Sequence, residues 1–354
     1  MASFEIDPDI RKAKTLSSEF YTDERYFELS KEKIFAKSWQ LVATADEISS
    51  LKPFVILPDF LDEPILISRN EGVTKCLSNV CTHRGKILVE TECEADLIRC
   101  GYHGRRFSLD GKFLSMPEFE GVEDFPCESD NLTIISSANW GKFLFVSMDS
   151  SSSFANFISD AASAIEIENY ADAKLISVRD YEVNAHWALY CENYLEGFHI
   201  PFVHRSLNEV VDYGSYKTET FRFSSLQTAL SESPVVAGGL TRSSDTRDAE
   251  IAARYLFIFP NLMFNFYPWG ISVNIVRPVS PSKSVVEFLT YVRDESLIEI
   301  GAGADLHGVE LEDEAVVESV QKGIRSRFYS HGRYSPTREQ GTHHFHRLIA
   351  EFLG

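Results

Sequence analysis

The sequence predicts an α+β protein: a small antiparallel β domain, then an antiparallel sheet flanked by helices. Three observations carry this. Short β-rich runs separated by turn residues fill residues 39–149. Longer strand-like runs recur between residues 176 and 292. Helical periodicity precedes, separates and follows them.

Residues 16–40 are expected to be helical, because Leu16, Phe20, Tyr26, Phe27, Leu29, Ile34 and Phe35 recur near a 3.6-residue period among charges. Residues 1–38 then form an N-terminal helical segment that packs on the second domain. Strands are expected at Trp39–Ala43, Phe54–Leu57, Pro64–Ser68, Leu97–Cys100, Leu132–Ser136 and Lys142–Ser147, with a turn at Leu109-Asp110-Gly111-Lys112. The polar stretch Met148–Ser153 marks the boundary, giving domains at 39–149 and 154–354. Beyond it a helix is expected over Phe154–Tyr170 and a strand over Ile176–Glu182. Trp187–His204 reads as helical with a break at Pro201. Residues 205–250, rich in Ser, Thr and Asp, read as loops or a lid. Strands follow at Arg254–Ile258, Leu262–Tyr267, Ser272–Pro278 and Val285–Val292. Helices close the chain at about Glu310–Tyr329 and His344–Phe352.

The chain has 354 residues, 44% hydrophobic and 12% aromatic, enough for two packed cores. Its net charge of −19 argues against nucleic acid and anionic membranes as partners. The start has no basic, apolar leader pattern, and no apolar run reaches the ~20 residues of a membrane helix. Cys76, Cys93, Cys127 and Cys191 form no regular framework and read as reduced thiols of a cytoplasmic protein.

Cys81-Thr82-His83 and Cys100-Gly101-Tyr102-His103 each pair one thiolate with one imidazole, 16 residues apart. A Rieske-type [2Fe–2S] cluster needs two Cys on one iron and two His on the other. Two mixed loops satisfy that need. Zinc is the alternative, but its sites usually group Cys with Cys and His with His.

Glu196, His199 and His204 make a second cluster. Non-haem Fe(II) that activates O₂ takes two His and one carboxylate, leaving positions open. On an ideal helix His199 and His204 would lie about 140° apart, so they converge only if the helix ends or distorts between them. Glu196, three residues before His199, falls on the same side of a helix. The third ligand must come from elsewhere. Glu310-Leu311-Glu312-Asp313-Glu314 offers four acids in five positions, but a helix start favours acids in any case, and composition does not choose among them.

With both sites in view, the chain resembles the α subunit of a Rieske non-haem iron oxygenase, over its whole length. That family's CxH and CxxH segments fall on Cys81, His83, Cys100 and His103. Its acid-x-x-His-x₄-His segment falls on Glu196, His199 and His204. Its Glu-Asp-x₄-Glu-x₂-Gln helix falls on Glu312, Asp313, Glu318 and Gln321, and implies Asp313 as the third iron ligand. The resemblance further implies a helix-grip-like catalytic domain, a homotrimer, and a ferredoxin or flavin reductase that delivers NAD(P)H electrons. It implies that Glu196 connects the iron site to a cluster His of a neighbouring subunit. O₂-derived oxygen would then enter a small substrate. This chain departs from the family at Glu196, where Asp is common, and at Arg105, where Trp is usual.

Leu195–Pro201, the run Phe264–Gly270 and His343-His344-Phe345-His346 resemble the choline monooxygenase-like branch, whose acceptors are quaternary amines such as choline, betaine and carnitine. Aromatic faces hold such cations, and Phe264, Phe266, Tyr267 and Trp269 are candidates. The three late His read as helix packing or pocket lining. Two rival readings are ring hydroxylation of an aromatic substrate, and a Rieske electron-transfer protein without oxygenase activity.

Overall fold

A computed structural model describes residues 4–44, 48–149, 152–231 and 250–354. The chain divides into two compact units, Phe35–Phe154 and Met1–Ile34 with Ala155–Gly354.

The first unit is antiparallel β throughout. Strands β1 (Gln40–Thr44), β2 (Leu51–Ile56), β3 (Glu63–Asn70), β4 (Val73–Ser78), β8 (Ile134–Trp140) and β9 (Phe143–Ser147) form a six-stranded sheet in the order β1-β9-β8-β4-β3-β2. Strands β5 (Ile98–Arg99), β6 (Arg106–Phe107) and β7 (Phe113–Ser115) form a three-stranded sheet. Pro53 lies in β2, an edge strand, where its missing N–H costs no ladder bond. β4, β6 and β7 were not expected from the sequence. The β3–β4 hairpin turns through Glu71 and Gly72, whose φ of +49° and +81° suit a two-residue turn matched to strand twist.

The second unit is built on a seven-stranded antiparallel sheet, ordered β10-β16-β15-β14-β13-β12-β11. Its strands are β10 (Lys174–Val183), β11 (Lys217–Thr220), β12 (Ser224–Ser231), β13 (Glu250–Ile258), β14 (Leu262–Tyr267), β15 (Gly270–Ser280) and β16 (Lys283–Val292). β11 and β12 correct the expectation of loops over 205–250. Their Ser- and Thr-rich pattern hides a strand whose residues are nearly all buried. Residues 232–249, the rest of the expected lid, and Ser150 and Ser151 of the boundary stretch lie outside the described residues.

The helices are α1 (Ser18–Thr22), α2 (Glu24–Ser30), α3 (Phe154–Ala164), α4 (Trp187–Tyr194), α5 (Ile200–Val203), α6 (Arg205–Asn208), α7 (Leu306–Gly323) and α8 (Gln340–Leu353). The single helix expected over 16–40 is broken at Asp23. Its backbone is extended and its carboxylate caps α2 by accepting from Arg25 N–H. α7 starts four residues earlier than expected, with Asp305 as its cap. The run of acids therefore sits past the first turn, and the helix dipole does not account for it.

α7 is tied to α4 and the segment before it by side chains spaced along one face. Glu318 accepts from Asn184 N (3.0 Å) and Nδ2 (2.7 Å), and Gln321 Oε1 accepts from His186 N (2.9 Å). Asp313 Oδ1 accepts from Asn193 Nδ2 at 2.8 Å. The late His residues serve packing: His346 is fully buried against Tyr334 (2.6 Å) and Glu192 (3.1 Å), and His343 Nε2 meets Asp7 O at 2.8 Å. All six cysteines are unpaired. Among the described residues no helix is long and apolar enough to cross a membrane.

Candidate metal centres and active site

The two Cys/His loops have one backbone plan. Cys81 N donates to Lys86 O and Gly85 N donates back to Cys81 O, at 2.8 and 3.0 Å. Cys100 N donates to Arg105 O and Gly104 N to Cys100 O, at 2.8 and 3.1 Å. Each loop closes through a glycine four residues after its cysteine, with φ of +70° at Gly85 and +72° at Gly104, a region costly for other residues. That shared Cys-x₃-Gly spacing is visible in the sequence.

Both thiols lie in the core of this unit beside Leu66, Leu77 and Phe107. The imidazoles lie toward solvent, with Nδ1 of His83 and His103 facing each other at 3.2 Å. Burial pushes the Cys100 thiol up, but N–H groups of Tyr102 and His103 outweigh it and hold it below its usual value. Among the described residues, the one set of three or more donors gathered within 4.8 Å is His199, His204 and Asp313. The four loop donors are not gathered in this way, as a single tetrahedral zinc would require. A buried thiol pair and a separate imidazole pair fit the two irons of a Rieske cluster.

Arg105 fills the place behind the second loop and is 1% exposed. Its guanidinium donates to Asp130 Oδ1 (2.5 Å) and Asp130 O (3.2 Å), and lies 4.8 Å from the Phe113 ring centre and 5.5 Å from that of Phe125. Thr82 Oγ1, in the first loop, donates to the same Asp130 carbonyl at 2.9 Å. Asp130 thus ties the two loops together. Removing one partner of a buried pair leaves the other charge unpaired, at a cost set by how deeply that charge lies. Arg105 is 2% exposed at its side chain and Asp130 16%, and Asp130 keeps the Cys127 N–H as a donor. Asp130→Ala is therefore expected to destabilise the protein by about 3 kcal/mol, and Arg105→Met by clearly less. Denaturant unfolding of the metal-loaded protein checks this, and equal losses would mean that packing, not charge, sets the cost.

The second centre is built where a helix stops. α4 ends at Tyr194, and Leu195 to Gly197 turn the chain before α5. The expected break at Pro201 is therefore corrected: Pro201 sits in the first turn of α5, where its missing N–H is harmless. Gly197 is required because a Cβ would stand 2.8 Å from the Tyr216 ring. His199 and His204 are the two caps of this four-residue helix. At His204 the backbone leaves the helical region (ψ 82°). The backbone from His199 to Val203 is helical, so the distortion expected between the two His is absent; the imidazoles meet from the ends of this short helix, with their Nε2 atoms 3.1 Å apart.

Asp313 Oδ1 lies 3.0 Å from His204 Nε2 and 3.5 Å from His199 Nε2. Two imidazoles and one carboxylate thus converge with one side facing a cavity. Each imidazole is held from behind. Glu196 Oε1 is 2.7 Å from His199 Nδ1, and Glu312 Oε2 is 2.8 Å from His204 Nδ1. A carboxylate on Nδ1 fixes the tautomer that presents Nε2 to a metal. Glu312 was in view in the sequence but had no role there. Contrary to expectation, Glu196 and His199 do not share a helix. Its Oε2 accepts from the N–H groups of Phe198 and His199 in a turn, a reach the longer Glu arm permits.

A cavity opens beside these three donors. Its walls include the rings of Tyr194, Tyr216, Tyr255 and Tyr267, and the Glu310 carboxyl. Burial keeps all four phenols neutral by raising them above their usual value. Of the expected aromatic candidates only Tyr267 lines this cavity. Strand alternation puts Asn265 and Tyr267 on the cavity face and turns Phe264 and Phe266 away. Trp269 stacks behind Tyr267 at 5.1 Å. The lining residues Tyr255, Asn265 and Ser272 stand in register across three strands, in a polar row that Gln227 and Thr290 extend on either side.

An antiparallel β domain with a paired Cys/His loop set, and a second domain with two His and one Asp beside a cavity, define a Rieske-type oxygenase. Residues 38–126 match the Rieske [2Fe-2S] domain family, and residues 170–354 match the ring hydroxylating alpha subunit (catalytic domain) family. The chain belongs to the Rieske oxygenase α-subunit family, and is an oxidoreductase with a [2Fe–2S] Rieske cluster and a mononuclear iron. It is 30% identical to a chloroplastic choline monooxygenase of Arabidopsis thaliana, over 98% of this chain and 85% of that one. It is 28% identical to a carnitine monooxygenase oxygenase subunit of Acinetobacter baumannii, over 99% of this chain and 97% of that one. A solved quaternary ammonium Rieske monooxygenase, described for carnitine oxidation and inter-subunit electron transfer, superposes with a TM-score of 0.77 at 26% identity, covering 98% and 97% of the two chains.

Proposed function

We propose that this chain is the terminal oxygenase component of a system that oxidises a quaternary amine of the choline, betaine or carnitine type, by N-demethylation or hydroxylation. The observation that carries the reading is the set of tyrosines, five in all, lining the cavity beside His199, His204 and Asp313. A trimethylammonium group has no N–H to donate, so ring faces and a carboxylate are what can hold it. Likeness to relatives named for choline and carnitine supports the same class.

Cys81 and Cys100 would hold one iron of the cluster, and His83 and His103 the other. His199, His204 and Asp313 would hold the mononuclear iron. When bound, these groups supply single electrons and the reduction of O₂ that places one oxygen atom in a C–H bond. Glu196 and Glu312 keep both imidazoles oriented. The cavity wall positions one carbon of the substrate toward the open side of the three donors. The balance is one O₂, two electrons and two protons for one inserted oxygen and one water. An N-methyl group hydroxylated in this way leaves as formaldehyde.

The electrons would come from NAD(P)H through a ferredoxin or flavin reductase. A homotrimer is part of the proposal. Phe198, next to Glu196, and Phe202, packed on Phe198, are 40% and 80% exposed and would be covered by a neighbouring subunit. The neighbour's His83 or His103 would then meet Glu196.

The test supplies the purified protein with a reductase and NADH, and screens quaternary amines and simple aromatics by O₂ uptake and product analysis. Metal-loaded protein is expected to carry about three irons and two sulfides per chain. Coupled O₂ uptake is expected with a quaternary amine, with formaldehyde or an aldehyde as product. A hydroxylated aromatic, with no amine oxidised, would replace this reading by ring hydroxylation. Two irons per chain and no substrate oxidation would leave electron transfer alone.

A further inference from the structure

Glu310 is the one acid of the α7 run that neither faces a candidate ligand set nor reaches solvent. It is 3% exposed and lines the cavity. Its Oε2 accepts from the Tyr190 hydroxyl at 2.6 Å. Its Oε1 is buried and has no partner. A buried acceptor left without a partner is costly, and most native ones have a reason. Among the described residues the lining of this cavity contains no Lys or Arg.

We propose that Glu310 is the counter-charge for the quaternary nitrogen of the substrate, and that it selects a cation without a carboxylate over a zwitterion. This rests on the quaternary-amine reading above and names the residue that decides among such amines. A choline-type cation brings one positive charge and a neutral hydroxyl, which the Asn265, Ser272 and Asn274 side chains of the cavity can meet. A betaine-type zwitterion also brings a carboxylate, which would face Glu310 and Asp313 with no basic side chain among the described lining residues. The tyrosine rings take the methyl groups, and Glu310 Oε1 supplies the charge.

The charge state of Glu310 is poised for this role. Burial raises its carboxyl to about 8, Tyr190 opposes the rise, and the negative charges of Asp313 and Glu314 add to it. The groups that bear on it are thus Tyr190 from α4 and Asp313 and Glu314 from its own helix. A cation stabilises the ionised form, so its binding is expected to strengthen as pH rises through the range of this raised carboxyl.

The experiment compares wild type with Glu310→Gln, on choline, on glycine betaine, and on 3,3-dimethyl-1-butanol, the neutral carbon isostere of choline. Glutamine keeps the shape and an acceptor for Tyr190, and iron and sulfide content report folding. In wild type, KM is expected to be lower for choline than for the isostere or betaine. In the variant, KM for choline is expected to rise at least about 30-fold, kcat and KM for the isostere to stay within about threefold, and the pH dependence of choline KM to flatten. If wild type prefers choline and the variant keeps both the preference and the pH dependence, the Glu310 assignment is overturned while the amine reading stands. If wild type prefers betaine, the selection of a carboxylate-free cation is overturned. If wild type oxidises no quaternary amine at all, the amine reading falls and this one falls with it.

Discussion

Asp313→Ala is expected to remove the mononuclear iron and to lower turnover by at least about 10³-fold, while the cluster's two irons and two sulfides remain. The three donors His199, His204 and Asp313 form the only group of this kind among the described residues, and Asp313 is its only anion. Without it, two neutral imidazoles would have to hold a divalent ion alone. The neighbours cannot substitute. Glu312 is engaged behind His204 at 2.8 Å, and Glu196 behind His199 at 2.7 Å. Asn193, which donates to Asp313 Oδ1 at 2.8 Å, would lose its acceptor. Iron by elemental analysis, sulfide, and the spectrum of the reduced cluster separate the two centres. Stoichiometric mononuclear iron in the variant would remove Asp313 from the ligand set. Loss of cluster and iron together would point to a folding defect, and Asp313→Asn, which keeps the shape and the side-chain oxygen, would then be the decisive variant.

The parts legible in the sequence are those written in local spacing. Cys81/His83 and Cys100/His103 lie on two loops of one plan, and the strands Leu262–Tyr267 and Lys142–Ser147 alternate or run apolar as strands do. What was not legible depends on register between distant segments. Glu312 was one of four acids in a row, and only its position opposite His204 gives it a function. Pro201 is the strongest local breaking signal in this stretch. The chain instead turns at Leu195–Gly197, where Gly197 must clear the Tyr216 ring, a contact between residues 19 apart. The choice of aromatics failed for a related reason. Phe264 and Phe266 alternate with Asn265 and Tyr267, and only the packing of helices on one face of the sheet tells which set meets the cavity. The spacing Asp313, Glu318, Gln321 was visible, and its cause is now clear. Those residues bond to Asn193, Asn184 and His186, and so set α7 in register with α4.

Glu196→Gln is expected to keep both metal centres and to lower coupled turnover by about 10²-fold, the scale at which a misplaced or missing supporting carboxylate acts. Two roles have to be separated. Locally, Glu196 holds His199 Nδ1 at 2.7 Å and receives the N–H groups of Phe198 and His199. Glutamine keeps an oxygen acceptor for these groups, so iron affinity should change little. Between subunits, the proposed role needs an anion able to accept from an imidazole of a neighbouring cluster loop, and an amide is a poorer acceptor and carries no charge. The side chain has a place for this, being 15% exposed and bonded to the N–H of Phe198, an exposed residue whose ring packs on that of Phe202. The discriminating measurement is product formed per pre-reduced trimer in a single turnover, with iron content determined on the same sample. Full iron with little product supports the connection between subunits. Undiminished coupled product with both metals present would refute it. Loss of mononuclear iron would confine Glu196 to orienting His199, and Phe202→Glu, which should block subunit assembly without touching that hydrogen bond, would then test the trimer by itself.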